Sequence, residues 1–258
     1  MRGFGGCIYG REGMGKTSLG LYFPGPVWCK SVGESGYETL EIAGDVPENT
    51  MNSVISSYEQ LVAEIRNTKT GTILIDALRG VQQLIMDSVC KEEFQNNWKL
   101  FNDYSQGLRR NCVNRLQVFL DVCSQKVREG VNIVFVSHAI TTPMPNTMGA
   151  DFLCHVINLD DSDKGAGMRS IFTAWCEFIF FLNLGVDITI ATETNKQKIA
   201  TEGKASQIAN RLIYTSLATG HQAKNRWKMP PIIPMGEDAK TAFENLWNYF
   251  PPAYKKGQ

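Results

Sequence analysis

The stretch from Gly10 to Ser18, "GREGMGKTS", satisfies the spacing G-x-x-x-x-G-K-[ST] at every position. That spacing serves one chemistry. Gly10, Gly13 and Gly15 let successive backbone N–H groups curl around phosphate oxygens, Lys16 neutralises the β/γ charge, and the Thr17 hydroxyl ligates Mg²⁺. Arg11, Glu12, Met14 and Ser18 complete the segment that would touch a nucleotide. Average residue usage yields such a match by accident in roughly one chain in a hundred of this length. The loop needs a strand before it and a helix behind it. "GGCIYG" supplies the apolar run, and "KTSLGLYF" opens a predicted helix that Pro24 stops.

Asp76, closing the apolar run "TILID", is the natural second ligand for Mg²⁺. A carboxylate at the carboxyl tip of a parallel strand stands beside such a loop; the alternative is an Asp that caps the next helix. Residue 77 is Ala, so the base that polarises water must come from elsewhere. Glu34, in the turn "GESGYETL" past the strand candidate "GPVWCKSV", is the candidate base, with Glu38 the nearest competitor. Ser137 and His138 end another apolar run, "VNIVFVSHA", where a polar side chain faces the γ-phosphate; a structural His is the competing reading. In "HQAKNRWKMPP", Lys224 and Arg226 alternate with Asn225 and Trp227, so on an extended segment both cations point one way. They could reach an anion outside their own subunit, or form a solvated basic turn.

The elements that must position these groups alternate. After the glycine loop come the strand candidate at "GPVWCKSV" and an amphipathic helix in "VISSYEQLVAEIRN", with Ile55, Tyr58, Leu61, Val62 and Ile65 at helical spacing. "GTILIDAL" reads as a strand buried on both faces, and a helix follows around "GVQQLIMDSVCKEE". The clearest helix runs from Asn111 to Glu129, with Val113, Leu116, Leu120, Cys123 and Val127 on one stripe. The order predicts an α/β fold with a mostly parallel sheet and crossover helices. Residues 140–173, rich in Pro and Gly with an acidic "LDDSDKGAG", read as an irregular excursion. Residues 174–235 read as strands extending the sheet antiparallel ("FIFFLNL", "VDITIAT", "RLIYTSL"), and 236–258 as a terminal helix and tail. With residues 1–139 as the phosphate-loop core, one domain spanning 1–258 is expected.

Composition narrows the function classes. The chain has 258 residues, 43% hydrophobic and 20% charged, which calls for a packed core. Lys+Arg and Asp+Glu balance at 26 each, so no broad basic face for nucleic acid is implied. Arg109, Arg110, Lys196, Lys198 and Lys204 are the basic candidates for a local patch. Seven scattered cysteines without a Cys-x-x-Cys pair suggest reduced thiols, and Cys154-His155 lacks a second pair for zinc. No apolar run reaches the roughly 18 residues of a membrane span, and the early glycine loop leaves no room for a signal peptide. A cytoplasmic protein without a membrane partner is expected.

In order along residues 4–235, "IYGREGMGKTSL", "VWCKSVGESGYETL", "TILIDAL", "VNIVFVSHA" and "AKNRWKMPP" resemble the RecA-like branch of P-loop ATPases. More narrowly they resemble the phage-type nucleotide-binding AAA family that includes RecA-like single-strand annealing proteins. The resemblance implies a RecA-like P-loop NTPase core, ATP with Mg²⁺, assembly into rings or filaments, and single-stranded DNA as partner in a phage-infected bacterial cell. It implies Glu34 as the water-activating base and His138 as the γ-phosphate sensor. It further implies Lys224 and Arg226 as fingers inserted into a neighbouring subunit's nucleotide, as in RecA-like motors of the DnaB type. Two departures stand out: "KSVGES" is more polar than the usual run before the base, and the chain starts almost at the loop, without the arm by which RecA polymerises.

Overall fold

The computed structural model describes residues 2–103, 107–146, 149–161, 167–190 and 203–255, the side chains of 186–190 and 203–209 excepted. Strand β1, Gly5–Gly10, is buried along its whole length and runs straight into the glycine loop. Helix α1, Lys16–Gly20, is a short helix that ends well before Pro24, earlier than the predicted "KTSLGLYF". Then follow β2, Val27–Ser31, α2, Gly36–Ala43, and β3, Thr50–Val54.

Helix α3, Tyr58–Asn67, starts where the Ser57 hydroxyl accepts the Gln60 N–H, a side-chain N-cap. The predicted helix over "VISSYEQLVAEIRN" therefore loses its first four residues: Val54 finishes β3, and Ile55 to Ser57 connect it to the helix. Neither α2 nor β3 carries a pattern long enough to be read beforehand. Next come β4, Thr72–Asp76, α4, Leu78–Glu93, α5, Trp98–Asn102, a π-helical turn over Gly107–Cys112, and α6, Val113–Arg128. Helix α6 buries Leu116, Leu120, Cys123 and Val127 on the predicted stripe.

Strand β5, Asn132–Met144, corrects the expectation of an irregular excursion over 140–173. It continues past the parallel sheet and pairs antiparallel with β6, Phe152–Ile157; helix α7, Met168–Trp175, follows. The hairpin's residues around Thr141 to Met144 are mostly exposed, so no apolar run marks them, and Pro143 is tolerated outside the central ladders. Strand β7, Phe178–Ile190, joins two runs expected as separate strands and, against the expected antiparallel extension, lies parallel to β1. Antiparallel pairing begins one step later: β8, Gly203–Tyr214, pairs with β7; β9, Lys224–Asn225, also pairs with β7; and β10, Ile232–Pro234, pairs with β8. Helices α8, Ala239–Trp247, and α9, Pro252–Lys255, end the described chain.

The resulting 10-stranded sheet has the order β10-β8-β7-β1-β5-β4-β2-β3, with β6 on β5 and β9 on β7. From β7 to β3 the neighbours are parallel. Both faces are covered, as a parallel sheet requires. Cys7, Tyr9, Ile73, Ile75, Ile133 and Phe135 pack into one core under α3, α4 and α6. Ile8, Leu74, Val134 and Val136 turn to a second core that holds Leu19 of α1 and Leu246 of α8. The strict alternation follows from the period of two along each strand. All seven cysteines are buried free thiols, and no helix among the described residues is long and apolar enough to cross a membrane.

Candidate functional site

Parallel register brings the predicted chemistry to one end of the sheet. Gly10 is level with His138, Asp76 with Val136, and Ser31 with Asp76. The carboxyl ends of β1, β5, β4 and β2 thus open on one cleft, where ligands bind in open α/β sheets.

Within the loop, Gly13 and Gly15 adopt φ of 72° and 81°, a region that favours glycine. Lys16 is buried and its Nζ donates to the Arg11 carbonyl oxygen at 2.7 Å, closing the loop on itself. Thr17 Oγ1 donates to Asp76 Oδ2 at 2.7 Å. Gly36, at the start of α2, faces this corner: a Cβ there would stand 3.0 Å from Thr17 Oγ1 and 3.1 Å from Asp76 Oδ2. The absence of a side chain lets α2 approach the two oxygens. Burial pushes Lys16 below the ordinary lysine range, opposed by the carboxylates of Asp76, Glu12 and Glu34. Burial pushes Asp76 above the ordinary carboxylate range, opposed chiefly by the Thr17 hydrogen bond. Each charge is therefore incompletely compensated by the protein: a bound anion would relieve Lys16, and a bound cation Asp76.

Glu34 and His138 meet. His138 Nε2 lies 3.2 Å from Glu34 Oε1, although 104 positions separate them in the chain. Both line the cleft with Lys16, Thr17 and Asp76, in a cavity of about 300 Å³. The competitor Glu38 does not line it. Ser137 is fully buried and points back, its hydroxyl donating to the His138 carbonyl oxygen. The polar character of "KSVGES" has a local cause. Lys30 Nζ pairs with Glu64 at 2.8 Å and with Ser53 Oγ, and Ser31 Oγ donates to Asn52, so β3 and α3 absorb these groups.

The donor set fits Mg²⁺, a hard ion that takes a hydroxyl and a carboxylate and keeps phosphate oxygens and water as its other ligands. Among the described residues no three His, Cys, Asp or Glu side chains form a metal cluster, Cys154-His155 included. Thr17 and Asp76 would thus hold the ion with oxygens from the nucleotide and solvent.

Lys224 and Arg226 lie at the other end of the strands. Lys224 pairs with Ile179, and the Arg226 N–H donates to the Glu177 carbonyl, whereas Gly10 is level with Leu182. At about 3.3 Å per residue this separates them from the loop by about 10 and 16 Å along the strand. Lys224 Nζ is engaged, donating to the Thr173 carbonyl at 2.8 Å. Exposed Arg226 opens, with Arg2, Arg128 and Glu177, on a cavity of about 500 Å³. They do not join the chain's own phosphate cleft. Of the other basic candidates, Arg109 and Arg110 are exposed on the π-helical turn. Lys196 and Lys198 lie outside the described residues, and of Lys204 only the backbone is described, in β8.

One residue beside the loop carries no sequence signal. Arg211, in β8, places its Nη1 3.4 Å from where a Cβ on Gly15 would stand. The β8–β10 pairing sets it there, and nothing in the local sequence "NRLIY" marks it.

A comparison with curated proteins finds no match. The family model described as "AAA domain" matches residues 2–227. That span contains the glycine loop, Asp76, Glu34 and His138, and runs through the strands that carry them. With the cleft at the carboxyl ends of a parallel sheet and a family match over most of its length, the chain belongs to the AAA domain family of nucleotide-binding P-loop ATPases.

Proposed function

We propose that the protein is a Mg²⁺-dependent ATPase whose hydrolytic centre is the corner formed by Lys16, Thr17, Glu34, Asp76 and His138. One observation carries this reading: the Thr17–Asp76 pair and the Glu34–His138 pair face the same cleft beside the glycine loop. Loop N–H groups and Lys16 hold the phosphates. Bound Mg²⁺ supplies charge neutralisation on the phosphate oxygens. Glu34 accepts a proton from water as the water oxygen bonds to the γ-phosphorus; the bond from that phosphorus to the β–γ bridging oxygen breaks, releasing ADP and phosphate. His138 fixes the Glu34 carboxylate and lies level with Gly10, where the loop begins.

The RecA-like, phage-type resemblance extends the reading to a self-assembling cytoplasmic protein acting on single-stranded DNA in recombination or replication. Arg226, exposed and remote from its own cleft, would serve a neighbouring subunit's nucleotide, and Lys224 would serve beside it once released from the Thr173 carbonyl. A second reading, nucleotide-gated binding of a protein partner with slow hydrolysis, is favoured by β5, which runs without interruption from His138 into the β5–β6 hairpin, where Thr141, Pro143, Met144 and Leu153 are exposed. The test is the ATPase rate per subunit against protein concentration, with and without single-stranded DNA. A rate that rises with concentration and with DNA supports the shared-site DNA reading. A slow rate indifferent to both favours the gated binder, and no Mg²⁺-dependent turnover or nucleotide binding at all removes the ATPase reading.

A further inference from the structure

The amino end of the parallel strands holds a cavity of about 500 Å³ that the hydrolytic reading does not use. Three guanidiniums reach it from three parts of the chain: Arg2 ahead of β1, Arg128 as the last residue of α6, and Arg226 after β9. Glu177 is the one carboxylate among the lining residues. It is buried and already committed, its Oε1 accepting from Arg2 at 2.8 Å and its Oε2 from the Tyr254 hydroxyl at 3.1 Å. Arg2 is thereby compensated, whereas Arg128 and Arg226 are not. The Arg128 guanidinium has no partner among the described residues, and Arg226 Nη2 reaches only the Ala174 carbonyl, at 3.5 Å. A single solvated arginine is ordinary on a surface; two uncompensated ones opening on one cavity leave it with an excess of two positive charges.

The cavity also has an apolar wall, built from Val127 of α6 and Trp175 of α7. Trp175 Nε1 donates to Ser124 Oγ at 2.9 Å, which fixes the indole. Its ring closes down on β1 at Gly5, where a Cβ would stand 2.5 Å from Trp175 Cη2. We propose that this cavity is a second anion site, taking a phosphate monoester carried on an aromatic or apolar group, with Arg128 and Arg226 on the phosphate and Val127 and Trp175 against the organic part. A phosphate monoester carries about −1.5 to −2 charges near pH 7, which matches the excess. Guanidinium forks pair with phosphate oxygens two at a time. The volume falls within the range of about 300–1,000 Å³ for small-molecule sites. Gly5 and Gly10 are the two ends of β1, about 16 Å apart along the strand, so this site is separate from the glycine loop and does not depend on it. The ligand would draw on Arg226 within its own subunit, in competition with a neighbour's nucleotide.

Calorimetry with phenyl phosphate, phenyl sulfate and inorganic phosphate tests this on wild type, Arg128→Ala, Arg128→Lys and Arg128→Glu. Arg128 is exposed, so its replacement removes no core packing. Wild type should hold phenyl phosphate at least about tenfold more tightly than phenyl sulfate, which has the same shape and one charge less, and than inorganic phosphate, which lacks the ring. Arg128→Ala should weaken phenyl phosphate by about tenfold, Arg128→Lys by less, and Arg128→Glu should abolish its binding, while MgATP affinity stays within about twofold in all three. A wild type that binds no phenyl phosphate, or one that binds phenyl sulfate equally well, overturns the assignment. So does phenyl phosphate affinity that survives Arg128→Glu, since the anion then sits elsewhere. Competition distinguishes the sources of the monoester. A 5′-phosphorylated oligonucleotide that displaces phenyl phosphate where its 5′-hydroxyl counterpart does not puts the group on a strand end; failure of both puts it on a free small molecule, and either result upholds the site. Phenyl phosphate binding without any nucleotide binding would remove the ATPase reading and leave this one standing.

Discussion

The two ends of the parallel strands hold similar residues to different effect. At the carboxyl end, Lys16 and Asp76 are both buried, and their environment disfavours the charge on each. At the amino end, Arg2 pairs with Glu177 at 2.8 Å, Tyr254 donates to the same carboxylate, and Lys224 is anchored on a backbone carbonyl. One end is organised around charges that a ligand would complete. The other is largely completed by the chain itself, with Arg226 reaching out at its rim. Cation count is therefore a poor guide to a site; whether the protein has already satisfied the cation is the better one.

The contrast can be broken from either side. Lys16→Ala should abolish nucleotide binding and lower hydrolysis by about a hundredfold or more; turnover that survives would mean the carboxyl end is not where phosphate reacts. Glu34→Gln should cost about a hundredfold in kcat while MgATP affinity persists, since only proton acceptance is lost. His138→Ala, acting through Glu34, should cost about tenfold. At the amino end, Arg226→Ala should leave binding intact and slow hydrolysis by about tenfold or more, with activity recovered on mixing with Lys16→Ala protein. An unchanged rate would confine Arg226 to its own surface and end the shared-site idea. The smallest effect sharpens the comparison: Tyr254→Phe removes a hydrogen bond to Glu177, and denaturant titration should show a loss of about 1 kcal/mol with catalysis untouched.

Much of the fold was legible because parallel strands buried on both faces must be short apolar runs, as "TILID" and "VNIVFV" are. The hairpin after His138 was not legible because its first arm exposes Thr141, Pro143 and Met144 and so breaks the apolar run, although β6, "FLCHVI", buries Cys154, Val156 and Ile157. Helix α2 and strand β3 show the same gap: β3 lies at the sheet's edge, and its "TMNSV" has neither the length nor the apolarity of a central strand. Lys224 and Arg226 were placed on an extended segment; β9 is extended at Lys224–Asn225 while Arg226 lies in the bend that follows, and alternation along a strand says nothing about which end of the sheet it joins.

By itself the sequence determined the phosphate loop, because consecutive backbone N–H groups and the lysine behind them are local chemistry written in nine residues. It determined Asp76 as well, since a carboxylate closing a buried apolar run can only emerge at a strand tip. The tertiary structure alone decided that Glu34 touches His138 and that Arg211 stands beside Gly15. Those meetings follow from strand order, with β5 inserted between β1 and β4 and β8 folded back along β7. Strand order is set by how helices and strands pack over long separations, and no short stretch of residues encodes it.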